Sequence, residues 1–164
     1  MGSLTRPTDG VRTQQQASTL HLLLVEDDED TRELMGLALG AAGFSVRTAG
    51  SGREALARLA EDESDLLVTD YDMPEMTGTE MLQIARDRGL MGGARPLIVT
   101  AHPSPKGTEG FPLVRKPLDL TRFVGLLRSF HSMGPGALAY PGEQKRGAAA
   151  HRADAVMPGD TDSH

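Results

Sequence analysis

Cysteine and tryptophan are absent from the 164-residue sequence, which excludes disulfides and thiolate metal sites. Only 2 tyrosines and 4 phenylalanines occur, so a groove that stacks successive nucleic-acid bases on aromatic rings is not expected. The formal net charge of −6 argues against a general binder of nucleic acids or membrane surfaces. No apolar run approaches the length of a membrane span, and the N-terminus lacks a signal-peptide core. We therefore expect a cytoplasmic protein with no nucleic-acid partner and no membrane partner.

The length of the chain leaves room for one ordinary domain flanked by polar segments. Residues 1–19 contain almost nothing to bury, so they are predicted to be a disordered N-terminal segment. Residues 131–164 are rich in glycine, proline, alanine and scattered charge, which predicts a flexible C-terminal tail. The folded domain is expected over residues 20–130, and no DNA-binding or catalytic output domain fits beside it.

Five short apolar or β-branched segments predict strands, at residues 21–25, 44–49, 65–70, 96–100 and 111–115. Helical patterns separate most of them, and this alternation predicts an α/β fold: a doubly wound, five-stranded parallel sheet with helices on both faces. The segment after the fourth strand is different, because two prolines and two glycines fall within residues 101–110. Such a composition obstructs a helix, so the fourth helix is predicted to be short or absent.

Two helix starts carry a capping-box pattern, at Ser51–Glu54 and Thr77–Glu80. In the first helix, one apolar stripe recurs at helical spacing. We predict that this stripe faces the sheet; its members are Leu34, Leu37, Ala38, Ala41 and Ala42.

Chemically active side chains stand where the predicted strands end. Glu26 and Asp27 follow the first strand, Asp70 ends the third, Thr100 the fourth, and Lys116 follows the fifth. In a parallel sheet these ends meet at one edge, which is where open α/β sheets bind ligands. Clustered carboxylates call for a cation, and Mg²⁺ prefers such oxygen ligands. A carboxylate is also a competent nucleophile toward phosphorus, so the set predicts a phosphoryl site with Asp70 as acceptor.

Four motifs resemble the receiver domain of two-component response regulators. They are Val-Glu-Asp-Asp at 25–28, Asp-x-x-Met-Pro-x-Met-x-Gly at 70–78, Val-Thr-Ala at 99–101 and Lys-Pro at 116–117. Each motif alone is weak, whereas all four in order, each at a strand end, are specific. The resemblance covers residues 20–130 and implies a flavodoxin-like fold with strand order 2-1-3-4-5.

The resemblance also implies a role for each matched residue. Asp70 would take a phosphoryl group from a histidine kinase or a histidine phosphotransfer protein, and Lys116 would contact that group. Thr100 would move to hydrogen-bond it. The Mg²⁺ ligands would be the side chains of Asp27 and Asp70, the backbone carbonyl of Asp72, and Glu26 through a metal-bound water. Asp72 and His102 match positions that tune autodephosphorylation.

Two departures from the family pattern concern the relay away from the site. Leu113 occupies the position where the family commonly has an aromatic residue that moves with the threonine. Only fifteen residues separate Thr100 from Lys116, fewer than is usual in the family. The usual switch pair of Thr100 and position 113 is therefore not expected, and a loop is expected to recognise the unknown downstream protein.

Three functions remain open from the sequence. The leading hypothesis is a single-domain signalling switch that catalyses only its own phosphorylation and dephosphorylation, and so is not an enzyme acting on external substrates. The second is a phosphatase of the haloacid-dehalogenase type, because Asp70-Tyr71-Asp72 also matches the Asp-x-Asp of that family. The third is an adaptor with the receiver fold that works without phosphate.

Overall fold

A computed structural model describes residues 19–133 of the chain. Most of the predicted disordered segment 1–19 and most of the predicted tail 131–164 lie outside the described residues, so those two predictions stay predictions. Within residues 19–133, no helix is both long enough and apolar enough to cross a membrane.

The described chain alternates strands and helices until the fourth strand. The strands are β1 (His21–Val25), β2 (Ser45–Ala49), β3 (Leu66–Asp70), β4 (Arg95–Thr100) and β5 (Leu113–Arg115). The helices are α1 (Glu29–Ala41), α2 (Gly52–Glu61), α3 (Gly78–Asp87) and α4 (Leu120–Ser132). The predicted strands are confirmed within two residues at each end, and α4 runs two residues past the predicted end of the domain.

The strands form one sheet in the order β2-β1-β3-β4-β5, and every neighbouring pair is parallel. The predicted doubly wound topology is thereby confirmed. All five residues of β3 are buried, as expected for a central strand covered on both faces. This topology brings the carboxyl ends of the strands to one edge, as the crossover rule requires.

Helices cover both faces of the sheet. On one face, α1 and α4 contribute Met35, Leu39, Phe123 and Leu127 to an apolar cluster. On the other face, α2 and α3 pack a second cluster that includes Leu59 and Met81. Burial of such side chains is the main favourable contribution to the stability of the fold, because each one removes apolar surface from water.

The helix starts follow the sequence pattern with one difference. At Thr77 the capping box is complete, since Thr77 accepts a hydrogen bond from the Glu80 N–H (3.2 Å) and Glu80 accepts one from the Thr77 N–H (2.7 Å). At Ser51 only the first of these two hydrogen bonds forms, in which the Ser51 hydroxyl accepts from the Glu54 N–H (3.2 Å). The Glu54 carboxylate instead accepts from the Gly50 N–H (2.8 Å).

The predicted inward face of α1 is wrong. Leu34 and Leu37 are 64% and 67% exposed, and the buried residues of the helix are Met35 and Leu39. The sequence contains two overlapping apolar stripes, and the second one (35, 38, 39 and 42) also has helical spacing. The Arg32 guanidinium, on the same side of α1 as Met35 and Leu39, donates a hydrogen bond to the Glu26 carbonyl (2.8 Å).

No helix forms between β4 and β5 in the described residues, which confirms the prediction that the helix after the fourth strand is short or absent. A loop of residues 101–112, called the β4–β5 loop below, replaces it. Phe111 and Tyr71, 8% and 7% exposed, fill the space on the α2–α3 face. The Arg86 guanidinium lies 4.4 Å from the centroid of the Phe111 ring and covers it from outside.

Candidate functional site

Three carboxylates meet at the carboxyl edge of the sheet, at the positions that the strand ends predicted. One carboxylate oxygen from each of Glu26, Asp27 and Asp70 lies within 4.8 Å of the others. Glu26 and Asp70 are 4% and 8% exposed, whereas Asp27 is exposed. The turn that carries Glu26 is held to the sheet by its backbone N–H, which donates to the Ala49 carbonyl (3.1 Å).

Lys116 brings a positive charge to this cluster from the other end of the domain. Its ammonium lies 3.2 Å from the Glu26 carboxylate and 3.1 Å from the Asp70 carboxylate. The Lys116 N–H donates to the Thr100 carbonyl (2.9 Å), which continues the β4–β5 ladder by one residue. The peptide bond between Lys116 and Pro117 is cis.

Burial dominates the electrostatics of the two inner acids. It raises the pKa of Glu26, and the charge of Asp70 raises it further, against the attraction of Lys116. Burial likewise raises the pKa of Asp70, although a hydrogen bond from Lys116 and the charge of Lys116 oppose the shift. Burial lowers the pKa of Lys116, but the hydrogen bonds and charges of Asp70 and Glu26 outweigh it, so the net shift is upward.

The donor set fits a hard divalent cation. Three carboxylates face a single ammonium, so the fully ionised cluster carries excess negative charge. Oxygen ligands grouped on one side, with the remaining positions open to water, match the preference of Mg²⁺. Asp72 is exposed, its carboxylate is not one of the three grouped acids, and its charge raises the pKa of Asp70.

Comparisons with known proteins agree with this geometry. The sequence profile described as the response regulator receiver domain matches residues 22–110, more than half of the chain. The chain belongs to this family. The matched region includes Thr100 and the three clustered acids Glu26, Asp27 and Asp70. Strand β5 and Lys116 lie beyond its end.

The chain is also similar to known proteins in sequence and to solved structures in fold. The response regulator receiver protein CpdR of Brucella abortus is 42% identical over 107 residues, which cover 63% of this chain and 89% of CpdR. The transcriptional regulatory protein GlrR of Escherichia coli K12 is 38% identical over 105 residues, 60% of this chain, and this match spans only 23% of GlrR. The chemotaxis response regulator CheY4 of Vibrio cholerae superposes with a TM-score of 0.62 at 28% identity, over 68% of this chain and 98% of CheY4.

Two further predicted residues, Thr100 and His102, lie at and just after the end of β4. Thr100 is fully buried at the end of β4, one position beyond Val99, which pairs with Asp70 across the ladder. Its hydroxyl accepts a hydrogen bond from the His102 N–H (2.9 Å). The His102 imidazole is half-buried and its Nδ1 accepts from the Ser104 N–H (3.2 Å).

Leu113, at the start of β5, is half-buried and packs against the α2–α3 cluster. An aliphatic side chain at this position has no hydroxyl group and no ring. It therefore offers no hydrogen bond to a partner.

Two residues that position the site were not singled out from the sequence. The Arg32 guanidinium binds the backbone carbonyls of Glu26 (2.8 Å) and Asp27 (3.3 Å), and so holds the turn that carries both acids. The position of Arg32 one turn into α1 could have indicated this role, because the side chains of a helix point back toward its N-terminus.

Gly78 is the second such residue. A Cβ at this position would lie 2.1 Å from the Asp70 carbonyl oxygen, so any side chain would push the end of β3 out of place. The Gly78 N–H donates to the Tyr71 carbonyl (2.9 Å), which closes the turn after Asp70. Its presence in the 70–78 motif signalled a tight turn, but the contact with Asp70 required the structure.

Proposed function

We propose that this receiver domain accepts a phosphoryl group on Asp70 in a Mg²⁺-dependent reaction and passes the signal to a partner protein. The observation that carries the proposal is the Lys116 ammonium 3.1 Å from the Asp70 carboxylate, beside two further acids. Phosphoryl transfer depends on positioning and charge neutralisation. A buried acceptor carboxylate, an adjacent ammonium group and a group of acids suited to a metal ion can provide both.

In the proposed reaction, an Asp70 carboxylate oxygen forms a bond to the phosphorus of a donor, and the bond between phosphorus and the donor's leaving group breaks. The Lys116 ammonium and the Thr100 hydroxyl each offer a donor to the phosphoryl oxygens. Mg²⁺, when bound, supplies charge neutralisation for the same oxygens. Asp27 and Asp70 would hold it by their side chains, Asp72 by its backbone carbonyl, and Glu26 through a water.

The proposed activity ends with the chain's own carboxylate. Hydrolysis of the acyl phosphate regenerates Asp70, and Asp72 and His102 match the family positions that tune this step. We therefore propose no turnover of an external substrate, in contrast to a haloacid-dehalogenase-type phosphatase.

Asp70→Asn is expected to abolish phosphorylation. Incubation of the wild type with Mg²⁺ and acetyl phosphate is expected to add about 80 Da, the mass of one phosphoryl group, and the adduct should be lost in acid. The asparagine variant keeps the shape of the side chain but lacks the nucleophilic carboxylate. Intact-protein mass spectrometry measures the adduct; an adduct of equal yield on the variant, or none on the wild type, contradicts the proposal.

The proposed donors in the cell are a histidine kinase or a histidine phosphotransfer protein, and α1 offers them a docking surface. Leu34 and Leu37 are exposed on the helix that begins beside Glu26 and Asp27. A groove of about 350 Å³ lies beside this helix, lined in part by Leu37 and by Val46 of the edge strand β2. Exposed apolar side chains next to a reactive site mark a contact surface.

Leu37→Asp separates docking from chemistry. Transfer from an autophosphorylated histidine kinase is expected to slow roughly tenfold, the effect of losing one apolar anchor in an interface. Labelling by acetyl phosphate should not change, because Leu37 lies outside the acid cluster. Both rates are measured by radiolabel transfer, with Leu120→Asp on α4 as the exposed control; a parallel loss of both rates contradicts the assignment.

A phosphate-independent adaptor is the second candidate, and the leucine at position 113 favours it. In that case Asp70→Ala would leave partner binding unchanged in a pull-down, whereas the signalling switch requires that binding respond to a phosphate mimic at Asp70.

A further inference from the structure

Tyr71, the residue directly after Asp70, anchors the β4–β5 loop at two points. Its hydroxyl accepts a hydrogen bond from the Lys106 N–H (2.9 Å), thirty-five positions along the chain. Its ring centroid lies 5.2 Å from that of His102, with the planes inclined at 54°. Such tilted ring pairs contribute attraction beyond the area that they bury. The β4–β5 loop is therefore held to the sheet by a side chain that adjoins the acceptor.

The backbone of Tyr71 is fixed at the end of β3. Its N–H donates to the Val99 carbonyl (3.1 Å), and its carbonyl accepts from the Gly78 N–H (2.9 Å). Because both backbone groups are paired and the side chain is buried in the α2–α3 cluster, the Tyr71 ring keeps its position relative to Asp70. Any shift of the β4–β5 loop must then take place against this ring.

Thr100 connects the same loop to the acceptor from the β4 side. Its buried hydroxyl accepts the hydrogen bond of the His102 N–H (2.9 Å). A Thr100 side chain that rotates about its Cα–Cβ bond toward a phosphoryl oxygen on Asp70 carries its hydroxyl oxygen away from this N–H, and the hydrogen bond is lost. Leaving a half-buried N–H without a partner is unfavourable, so His102 is displaced, and the ring of His102 is the one that contacts Tyr71.

We propose that Tyr71 couples phosphorylation of Asp70 to the β4–β5 loop, and so replaces the aromatic residue that is missing at position 113. The coupling rests on the proposed function, because it needs a phosphoryl group on Asp70. Its consequence is a change in how the loop presents its exposed residues to a partner, among them Pro103, Lys106 and Glu109.

The test measures amide hydrogen exchange at Lys106 by NMR in the full chain, with and without Mg²⁺ and beryllofluoride as a mimic of the phosphoryl group. In the wild type, the mimic is expected to speed exchange at Lys106 by about fivefold, the effect of losing one hydrogen bond. In Tyr71→Phe, which keeps the ring and removes the acceptor, exchange is already fast and the mimic no longer changes it. His102→Ala, which removes the ring contact from the loop side, is expected to abolish the response as well.

Thr79→Val is the matched control. The Thr79 hydroxyl donates to the Lys106 carbonyl (3.3 Å), so this variant loosens the same loop residue without touching the Tyr71 ring. Its response to the mimic should persist. An equal response in the wild type and Tyr71→Phe overturns the coupling, as does a control that loses the response as completely as Tyr71→Phe.

A second measurement on the same samples separates this inference from the proposed function. The adduct formed with acetyl phosphate is expected in the wild type and in Tyr71→Phe alike. No adduct in the wild type overturns both the function and the coupling, whereas an adduct together with an unresponsive Lys106 amide overturns the coupling alone.

Discussion

Lys116→Met is expected to slow the phosphorylation of Asp70 by about a hundredfold, the usual effect of removing one preorganised donor from a reacting anion. The methionine side chain has a similar length but no charge, so the phosphoryl oxygens lose the ammonium that lies 3.1 Å from the Asp70 carboxylate. The rate of adduct formation with acetyl phosphate and Mg²⁺ measures the effect.

The same substitution is expected to destabilise the metal-free protein at neutral pH by about 3 kcal/mol, because it leaves two buried acids without their cation. Glu26 and Asp70 are both under a tenth exposed, so solvent screens them little. Urea unfolding in the presence of a chelator gives the stability. Lys106→Met, at an exposed side chain of the β4–β5 loop, is the matched control; if it affects rate and stability as strongly, Lys116 has no special place in the site.

Glu26→Gln is expected to stabilise the metal-free protein at pH 7 by on the order of 1 kcal/mol, the range of single stabilising substitutions. In the wild type, Glu26 is buried beside Asp70, and both effects disfavour its ionised form. The glutamine keeps the shape and removes the charge. The variant should also lose most of the rise in melting temperature that Mg²⁺ produces in the wild type.

The pH dependence of this difference follows from the sign of the shift. The pKa of folded Glu26 is raised above its ordinary value of 4.5, so the folded state holds the proton more tightly than the unfolded state. The stabilising effect of that proton is complete below pH 4.5 and is lost as the pH rises through the folded pKa. The raised pKa of Asp70 acts in the same direction. Metal-free wild type should therefore gain stability relative to Glu26→Gln as the pH falls from 7 toward 4.5.

Glu29→Gln is the control for this series, because Glu29 is an exposed acid in the first turn of α1.

Groups with lowered pKa values behave differently. Glu54, whose carboxylate accepts the Gly50 N–H, is one of them, and such groups lose their contribution to stability only below about their ordinary pKa of 4.5. The loss of their contribution opposes the trend at lower pH. It affects the wild type and Glu26→Gln alike, so it cancels when these two proteins are compared. A stability difference between wild type and Glu26→Gln that does not change with pH contradicts the prediction.

Much of the fold and of the site was predictable because strand ends in a parallel sheet have only one edge to meet at. Once β1, β3 and β4 were recognised, the convergence of Asp70 with Glu26 and Asp27 followed from topology. The absence of a helix between β4 and β5 was likewise predictable, because proline and glycine disfavour a helix at the positions where they stand. The inward face of α1 was not predictable, because two apolar stripes overlap there and only packing against the sheet, which buries Met35 and Leu39, decides between them.

The sequence by itself determined the chemistry of this protein: which acids, which lysine and which hydroxyl are available, and in what order strands deliver them. Only the tertiary structure decided how they act on one another. The ion pair of Lys116 with Glu26 joins residues ninety positions apart, and the Tyr71 contact with Lys106 joins residues thirty-five apart. Local sequence patterns do not give the interatomic distances between residues so far apart in the chain. Burial, pKa shifts and the anchoring of the β4–β5 loop depend on neighbours that only packing brings together.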